Sequence, residues 1–164
     1  MISKIIFLFV TLFGIGKIKK IPGSVASLAT TIFLFFLLHI LKISPNFVLI
    51  FIIIIFFISL YAVNIFIKDL DNKDPKEVVI DEFIGQSIPI CLYEIAHEGT
   101  KETSQILTSY FIMFILFRVF DIVKPYPVSY YDKNFKNSFG VVMDDVAAGL
   151  YVVAVLVLYM VLTS

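Results

Sequence analysis

The sequence predicts an all-α, polytopic membrane protein, a helical bundle with a short N-terminal interfacial or re-entrant helix. Of its 164 residues, 60% are hydrophobic and only 16% are charged, whereas soluble domains carry roughly 25% charged residues. Apolar stretches recur along the whole chain between short polar linkers. The formal net charge is zero, so we expect no nucleic-acid partner. A chain of this length should form one membrane-embedded domain, residues 1–164.

Six apolar stretches define the expected helices. The first, residues 5–15, is too short to cross a bilayer core of about 30 Å, so it predicts the interfacial or re-entrant helix. The others should span as helices rather than strands, because in lipid every backbone group must be bonded within its own segment. The shorter ones would be thin or kinked crossings. The five expected spans are 28–41, 47–67, 83–96, 106–120 and 146–162.

The basic residues of the linkers indicate an orientation. Loops at 17–27, 68–80 and 118–140 would share one side of the membrane. Together they hold ten of the thirteen lysines and arginines. Cytoplasmic loops carry such an excess, so this side is expected to be cytoplasmic.

Carboxylates stand at the cytoplasmic ends of three apolar stretches. Asp81 and Glu82 open one stretch, Asp121 closes another, and Asp144 and Asp145 open the last. An ionisable group at the hydrocarbon edge is costly unless it is paired, hydrated or bound to a cation, so this convergence predicts a site. Carboxylate oxygens without a Cys cluster or paired His favour a hard cation, Mg²⁺ first. Capping of helix N-termini is the open alternative for all of them except Asp121.

Two cations flank Asp121 in the stretch "FRVFDIVKPYP". Arg118 precedes it by three residues and Lys124 follows by three. A metal on Asp121, with phosphate oxygens on Arg118 and Lys124, would explain why both signs of charge occur together. A simple ion pair between Arg118 and Asp121 is the alternative that the pattern leaves open.

A second phosphate contact is expected at "IPGSVAS", residues 21–27. A Pro-Gly turn there leads into a helix that should start near Ser24. Backbone N–H groups at a helix N-terminus bind anions, and the hydroxyls of Ser24 and Ser27 could add to them. Ser24 acting only as the N-cap of this helix is the alternative.

Four motifs occur along the chain: "PGSVAS" at 22–27, "DEFIG" at 81–85, "FRVFDIVKPYP" at 117–127 and "DKNFKNSFGVVMDDVAAG" at 132–149. In their order and separations they resemble the phosphatidylglycerophosphatase A family of bacterial inner-membrane enzymes, and the resemblance covers most of the chain. In the family the first motif usually reads Pro-Gly-Thr-x-Gly-Ser, so Ser24 stands for the threonine and Ala26 replaces a glycine.

The resemblance implies Mg²⁺-dependent hydrolysis of phosphatidylglycerophosphate to phosphatidylglycerol and inorganic phosphate. It also implies a multi-pass protein of the bacterial inner membrane, surrounded by membrane lipids, with its active site facing the cytoplasm. Gly85 and Gly149 are expected to let helices approach closely. Carried over by motif, the catalytic carboxylates and metal ligands are Asp81, Glu82, Asp121, Asp144 and Asp145, and the phosphate binders are Arg118 and Lys124.

Other functions stay open on the sequence alone. A cation- or proton-coupled transporter also carries intramembrane carboxylates, but it would place charges near midspan and show an inverted repeat, and neither pattern is present. A non-catalytic scaffold would not need five carboxylates at one interface. A histidine-nucleophile phosphatase is disfavoured because His39 and His97 lie far from the basic residues.

Overall fold

The computed structural model describes residues 2–97 and 102–163, and in these ranges the chain forms seven α-helices and no strand. The expected all-α class is therefore confirmed. The α2 helix continues into a π-helical turn, Phe36–Ile40. The helices are α1 (Ile2–Val10), α2 (Pro22–Phe35), α3 (Pro45–Ile67), α4 (Ile80–Ala96), α5 (Thr103–Val123), α6 (Val128–Asn134) and α7 (Ser138–Thr163).

Four helices are long and apolar enough to cross a membrane: α2 with its π-helical turn, α3, α5 and α7. At 1.5 Å per residue, the 23 residues of α3 extend about 34 Å, which matches a bilayer core. The fifth expected span, 83–96, corresponds to α4, which has 17 residues and extends only about 25 Å. The five expected crossings thus become four candidate spans and one shorter helix.

The short α4 helix lies at the centre of the bundle. It packs against α2, α3, α5 and α7, and eleven of its residues are buried, whereas α3 and α5 expose long rows of Ile and Phe. Its approach to α7 is close at two glycines. A Cβ on Gly85 would lie 2.5 Å from the Asp145 carbonyl oxygen, and one on Gly149 would lie 2.3 Å from the Gly85 carbonyl oxygen. The close approach expected at these glycines is confirmed.

The N-terminal helix ends earlier than the apolar stretch 5–15 indicates. After Val10 the chain turns through three successive residues with positive φ, 12–14, into a single 3₁₀ turn. The Val79 N–H donates to the Val10 carbonyl oxygen at 2.9 Å, and the ring of Phe7 lies 6.0 Å from that of Phe66. These contacts fix α1 to α3 and to the segment that leads into α4.

Candidate active site

An acidic cluster formed by Asp81, Glu82 and Asp145 lies where α4 begins. One carboxylate oxygen from each residue lies within 4.8 Å of the other two. Asp81 and Asp145 are buried, and the Glu82 side chain is 15% exposed. Asp81 Oδ1 also accepts the Glu82 backbone N–H at 3.1 Å, but the N-cap of α4 is Val79, so neither Asp81 nor Glu82 is the N-cap residue. Like charges this close in a low-dielectric setting repel strongly, so the acidic cluster can be fully ionised only with positive charge nearby.

The crossing of α4 and α7 sets the spacing of the acidic cluster. Asp81 and Glu82 lie one turn before Gly85 on α4, and the Asp145 backbone is the part of α7 that touches Gly85. Without a side chain at Gly85, the two helices approach until carboxylates from both can share one ligand. Gly85 and Gly149 thus allow the close approach of α4 and α7.

Arg118 brings positive charge to the acidic cluster from α5. Its Nη1 lies 2.8 Å from Asp121 Oδ2 and 4.0 Å from Glu82 Oε1. The same Nη1 donates to Ser27 Oγ at 3.4 Å. The ion pair between Arg118 and Asp121, which the sequence left open as an alternative, is therefore present. It faces the acidic cluster, so the pair and a role at the site are compatible.

The Pro-Gly turn at the start of α2 lies against the same side chains. Ile21 has a φ of 51°, and α2 begins immediately after it at Pro22. A Cβ on Gly23 would lie 2.0 Å from Glu82 Oε1 and 3.3 Å from Arg118 Nη1. A larger residue here would force the Glu82 carboxylate to move. The sequence reasoning did not select Gly23 as a site residue, although the Pro-Gly pair was its signal.

The two serines expected to bind phosphate occupy different positions. Ser24 is the third residue of α2 and Ile21 is its N-cap, so the alternative that Ser24 caps the helix is wrong. The N–H groups of a first helical turn have no intrahelical acceptor, so this turn offers donors to an anion. Ser27 is fully buried, and its hydroxyl donates to the Gly23 carbonyl oxygen at 2.9 Å.

Lys124 forms a second ion-paired group beside the acidic cluster. It is the C-cap of α5, and its Nζ lies 2.7 Å from both Asp144 Oδ2 and Asp132 Oδ1. Burial alone would lower the pKa of Lys124, but the two carboxylates outweigh it and hold that pKa above its ordinary value. Lys124 therefore stays charged. Asp132 was not selected from the sequence, although it opens the fourth motif.

Capping does not explain the acidic pair on α7. This helix begins eight residues before the expected 146, and Asn137 caps it by accepting the Gly140 N–H at 3.1 Å. Asp144 and Asp145 therefore lie in the second turn of α7, and the capping alternative is wrong for both. The expected start is too late because the polar residues of the fourth motif indicate a linker.

Four buried polar atoms beside the acidic cluster have no hydrogen-bond partner among the described residues. They are Glu82 Oε2, Arg118 Nε and both polar atoms of Gln86. Leaving such a group unpaired costs about 1–3 kcal/mol. Gln86 was also missed from the sequence, where its signal was a carboxamide one turn beyond Glu82 in an apolar stretch. Orphan acceptors and donors beside clustered carboxylates fit a site for a hard cation and an oxyanion.

The sequence matches the phosphatidylglycerophosphatase A family model over residues 8–160. The chain belongs to this family. A phosphatidylglycerophosphatase A of Haemophilus influenzae is 36% identical over 143 residues, covering 87% of this chain and 81% of the relative. One of Escherichia coli is 28% identical over 138 residues, covering 84% and 73%. A putative phosphatidylinositol-3-phosphatase of Bacteroides thetaiotaomicron is 33% identical over 142 residues, covering 85% and 83%. No solved structure matches the chain.

Membership of the phosphatidylglycerophosphatase A family confirms the resemblance and makes the chain a phosphatase of phospholipid metabolism. Its four apolar spans suggest membrane association. The four motifs that carry the resemblance supply the acidic cluster, both ion-paired cations and the Pro-Gly turn. They meet at one end of the bundle, although they are distributed between residues 22 and 149.

The two histidines of this phosphatidylglycerophosphatase A family member lie at the other end of α4. His39 Nε2 is 3.3 Å from both Glu94 Oε1 and the Tyr110 hydroxyl, and His97 is the C-cap of α4. Glu94 is twelve residues beyond Glu82, about 18 Å along the helix. A cavity of about 730 Å³ between α5 and α7 lies at that end too. We therefore identify the acidic cluster as the candidate active site from its carboxylates and the nearby cations, and not from the size of a cavity.

Proposed function

We propose that this protein removes the terminal phosphate of phosphatidylglycerophosphate, giving phosphatidylglycerol and inorganic phosphate. The reaction depends on Mg²⁺ and takes place at the cytoplasmic face of a bacterial inner membrane. The observation that carries the proposal is Arg118 facing the acidic cluster, because phosphoryl transfer needs a fixed cation and metal ligands around one phosphate. The names of the Haemophilus and Escherichia relatives support this lipid as the substrate.

The acidic cluster would hold the Mg²⁺. Asp81, Glu82 and Asp145 offer only oxygen ligands, and Glu82 Oε2 is buried without a partner among the described residues, which fits a hard divalent cation. When bound, such an ion neutralises charge on the transferring phosphoryl group. A carboxylate of the acidic cluster orients the attacking water and takes its proton.

The ion-paired cations would bind and orient the phosphate. Asp121 holds the Arg118 guanidinium in place through Nη1, and the unpaired Nε leaves a donor for a phosphoryl oxygen. Asp144 holds Lys124 in the same way. We therefore assign to Asp121 and Asp144 the role of orienting these cations, whereas the sequence pattern had suggested direct metal ligation. The first turn of α2, at Ser24, adds backbone N–H groups beside Arg118.

The distribution of lysines supports a cytoplasmic site. The segments that flank the acidic cluster in sequence, at 17–27, 68–80 and 118–140, include loops and helix ends and carry most of the basic residues. A lipid phosphate lies at the headgroup plane, the depth that we propose for these segments. The acyl chains of the substrate can therefore stay among the helices while the glycerol phosphate reaches Arg118.

Phosphate release from lipid micelles tests this proposal. Phosphatidylglycerophosphate, phosphatidylinositol-3-phosphate and phosphatidic acid are compared in detergent, each with Mg²⁺ and with chelator, using the wild type and Asp121→Asn. We expect release from phosphatidylglycerophosphate that needs both Mg²⁺ and Asp121. If phosphate is released only from phosphatidylinositol-3-phosphate, the substrate would instead be the lipid named for the Bacteroides relative. No release from any lipid by folded protein would overturn the proposed activity.

A further inference from the structure

Gln86 is a fully buried polar residue that the proposed mechanism leaves without a role. Neither Nε2 nor Oε1 of its carboxamide has a hydrogen-bond partner among the described residues. Ser87, the next residue on α4, is also fully buried, but its hydroxyl donates to the Phe83 carbonyl oxygen at 2.6 Å. Of these two adjacent buried polar side chains, only that of Ser87 therefore has a hydrogen-bond partner in the described part of the chain.

The helix places Gln86 on the face of the acidic cluster. Residues four apart on a helix are neighbours, so Gln86 lies directly beyond Glu82. Side chains on a helix tilt toward its N-terminus, so the carboxamide reaches back over the turn that carries Asp81 and Glu82. Glu82 Oε2 and Arg118 Nε are the other buried atoms without a partner in the described part of the chain. All four orphan atoms thus belong to side chains around one place.

An apolar residue would be the more stable choice at this position if it served only the packing. Burying an unpaired carboxamide is unfavourable, and a leucine of similar size would remove that penalty. A carboxamide offers one donor and one acceptor from the same rigid group. The N–H of the carboxamide can donate a hydrogen bond to a phosphoryl oxygen, and its carbonyl oxygen can accept one from a water molecule beside that oxygen.

We propose that Gln86 is a catalytic residue that contacts both the phosphoryl group and the attacking water. Its Nε2–H donates to a phosphoryl oxygen, and its Oε1 accepts an O–H of the water. The water oxygen forms the new bond to phosphorus while the bond from phosphorus to the glycerol oxygen breaks. The water proton passes to a carboxylate of the acidic cluster and from there to the glycerol oxygen. Gln86 itself gains and loses no proton, and this role depends on the proposed phosphatase function.

The test compares Gln86→Leu with Ser87→Ala, a matched change of a buried polar residue on the same helix. Phosphate release from phosphatidylglycerophosphate gives kcat and KM for each variant. Thermal unfolding in detergent gives the midpoint, measured with and without inorganic phosphate in the presence of Mg²⁺. We expect kcat of Gln86→Leu to fall about 10²-fold with a small change in KM, as for loss of one oxyanion donor. Its midpoint should stay equal to or exceed that of the wild type.

The two readouts separate this inference from the proposed function. If the wild type releases phosphate and Gln86→Leu matches Ser87→Ala in kcat, the role of Gln86 is overturned and the activity stands. If activity and midpoint fall together in Gln86→Leu, Gln86 serves the fold and the inference is also wrong. If the wild type releases no phosphate, the test is the change in unfolding midpoint on addition of inorganic phosphate. A midpoint that rises in the wild type but not in Gln86→Leu supports the contact between Gln86 and phosphate. A rise that is equal in the wild type and Gln86→Leu, or absent from both, overturns it.

Discussion

Replacing Gly85 with alanine would insert a methyl group where α4 and α7 cross. The added Cβ would lie 2.5 Å from the Asp145 carbonyl oxygen and 2.7 Å from Cε2 of Phe117. Ordinary contacts of a Cβ begin near 3.4 Å, so the two backbones must separate by about 0.9 Å. The Asp145 oxygen belongs to the backbone and cannot rotate away. Overpacking of this kind costs about 1–3 kcal/mol of unfolding free energy.

The same displacement would also change the acidic cluster. Asp145 moves with α7, while Asp81 and Glu82 stay on α4, so the carboxylate oxygens that lie within 4.8 Å of one another would separate. A misplacement of about 1 Å among reacting groups can lower the rate about 10²-fold. We therefore expect Gly85→Ala to lose about 10²-fold in kcat and to unfold about 2–12 °C lower than the wild type.

Phosphate release and thermal unfolding of the same preparations measure both effects. Leu150→Ala is the matched control, because Leu150 follows Gly149 on α7 but is 51% exposed and lies away from the crossing. Gly149→Ala should behave like Gly85→Ala, since its Cβ would meet the Gly85 backbone. Unchanged kcat in a Gly85→Ala protein with a lowered midpoint would refute the link between the crossing and the acidic cluster.

Three further predictions, which use four substitutions, address the charges. Arg118→Lys keeps the charge but loses the planar guanidinium, so kcat/KM for phosphate release should fall at least about 10²-fold, and wild-type kcat/KM would contradict a role for the guanidinium geometry. Asp145→Asn removes repulsion in the acidic cluster, so in chelator it should unfold at or above the wild-type temperature while releasing no phosphate with Mg²⁺; a lower midpoint in chelator would oppose this reasoning. Lys124→Met and Asp144→Asn should couple by about 0.5–1.5 kcal/mol in a double-mutant cycle of unfolding, and additive effects would mean that their contact is energetically silent.

The fold was largely predictable because lipid restricts the choices. An apolar run of sufficient length must be a helix, and the runs at 47–67 and 106–120 did give α3 and α5. The start of α7 could not be predicted in this way. Asp144 and Asp145 interrupt the apolar pattern early in the helix, so hydropathy places the start after them, and only the Asn137 cap shows where the helix begins.

The sequence predicted which charged residues form the candidate site, but not which carboxylate pairs with which cation. Five carboxylates and two cations at apolar ends could be read from the sequence, because charge at a hydrocarbon edge needs a reason. Which carboxylate meets which cation depends on the rotation and crossing of helices, and a linear pattern does not contain these. The sequence therefore could not separate Asp121 and Asp144, which hold cations, from the acidic cluster. Gly23 and Gln86 were missed because neither carries a charge.

The pairing also explains why charges of both signs occur at three-residue spacing where α5 ends. Asp121 offsets Arg118, and Asp144 with Asp132 offsets Lys124, so each cation is held without leaving an unpaired positive charge in the bundle. Within residues 2–97 and 102–163, no cation lies within hydrogen-bond distance of the acidic cluster, since Arg118 Nη1 is 4.0 Å from Glu82 Oε1. A phosphate dianion that approached the acidic cluster alone would be repelled. Under the proposed function, a metal ion and the phosphate therefore bind together at this end of the bundle, where Arg118 reaches both Asp121 and Glu82.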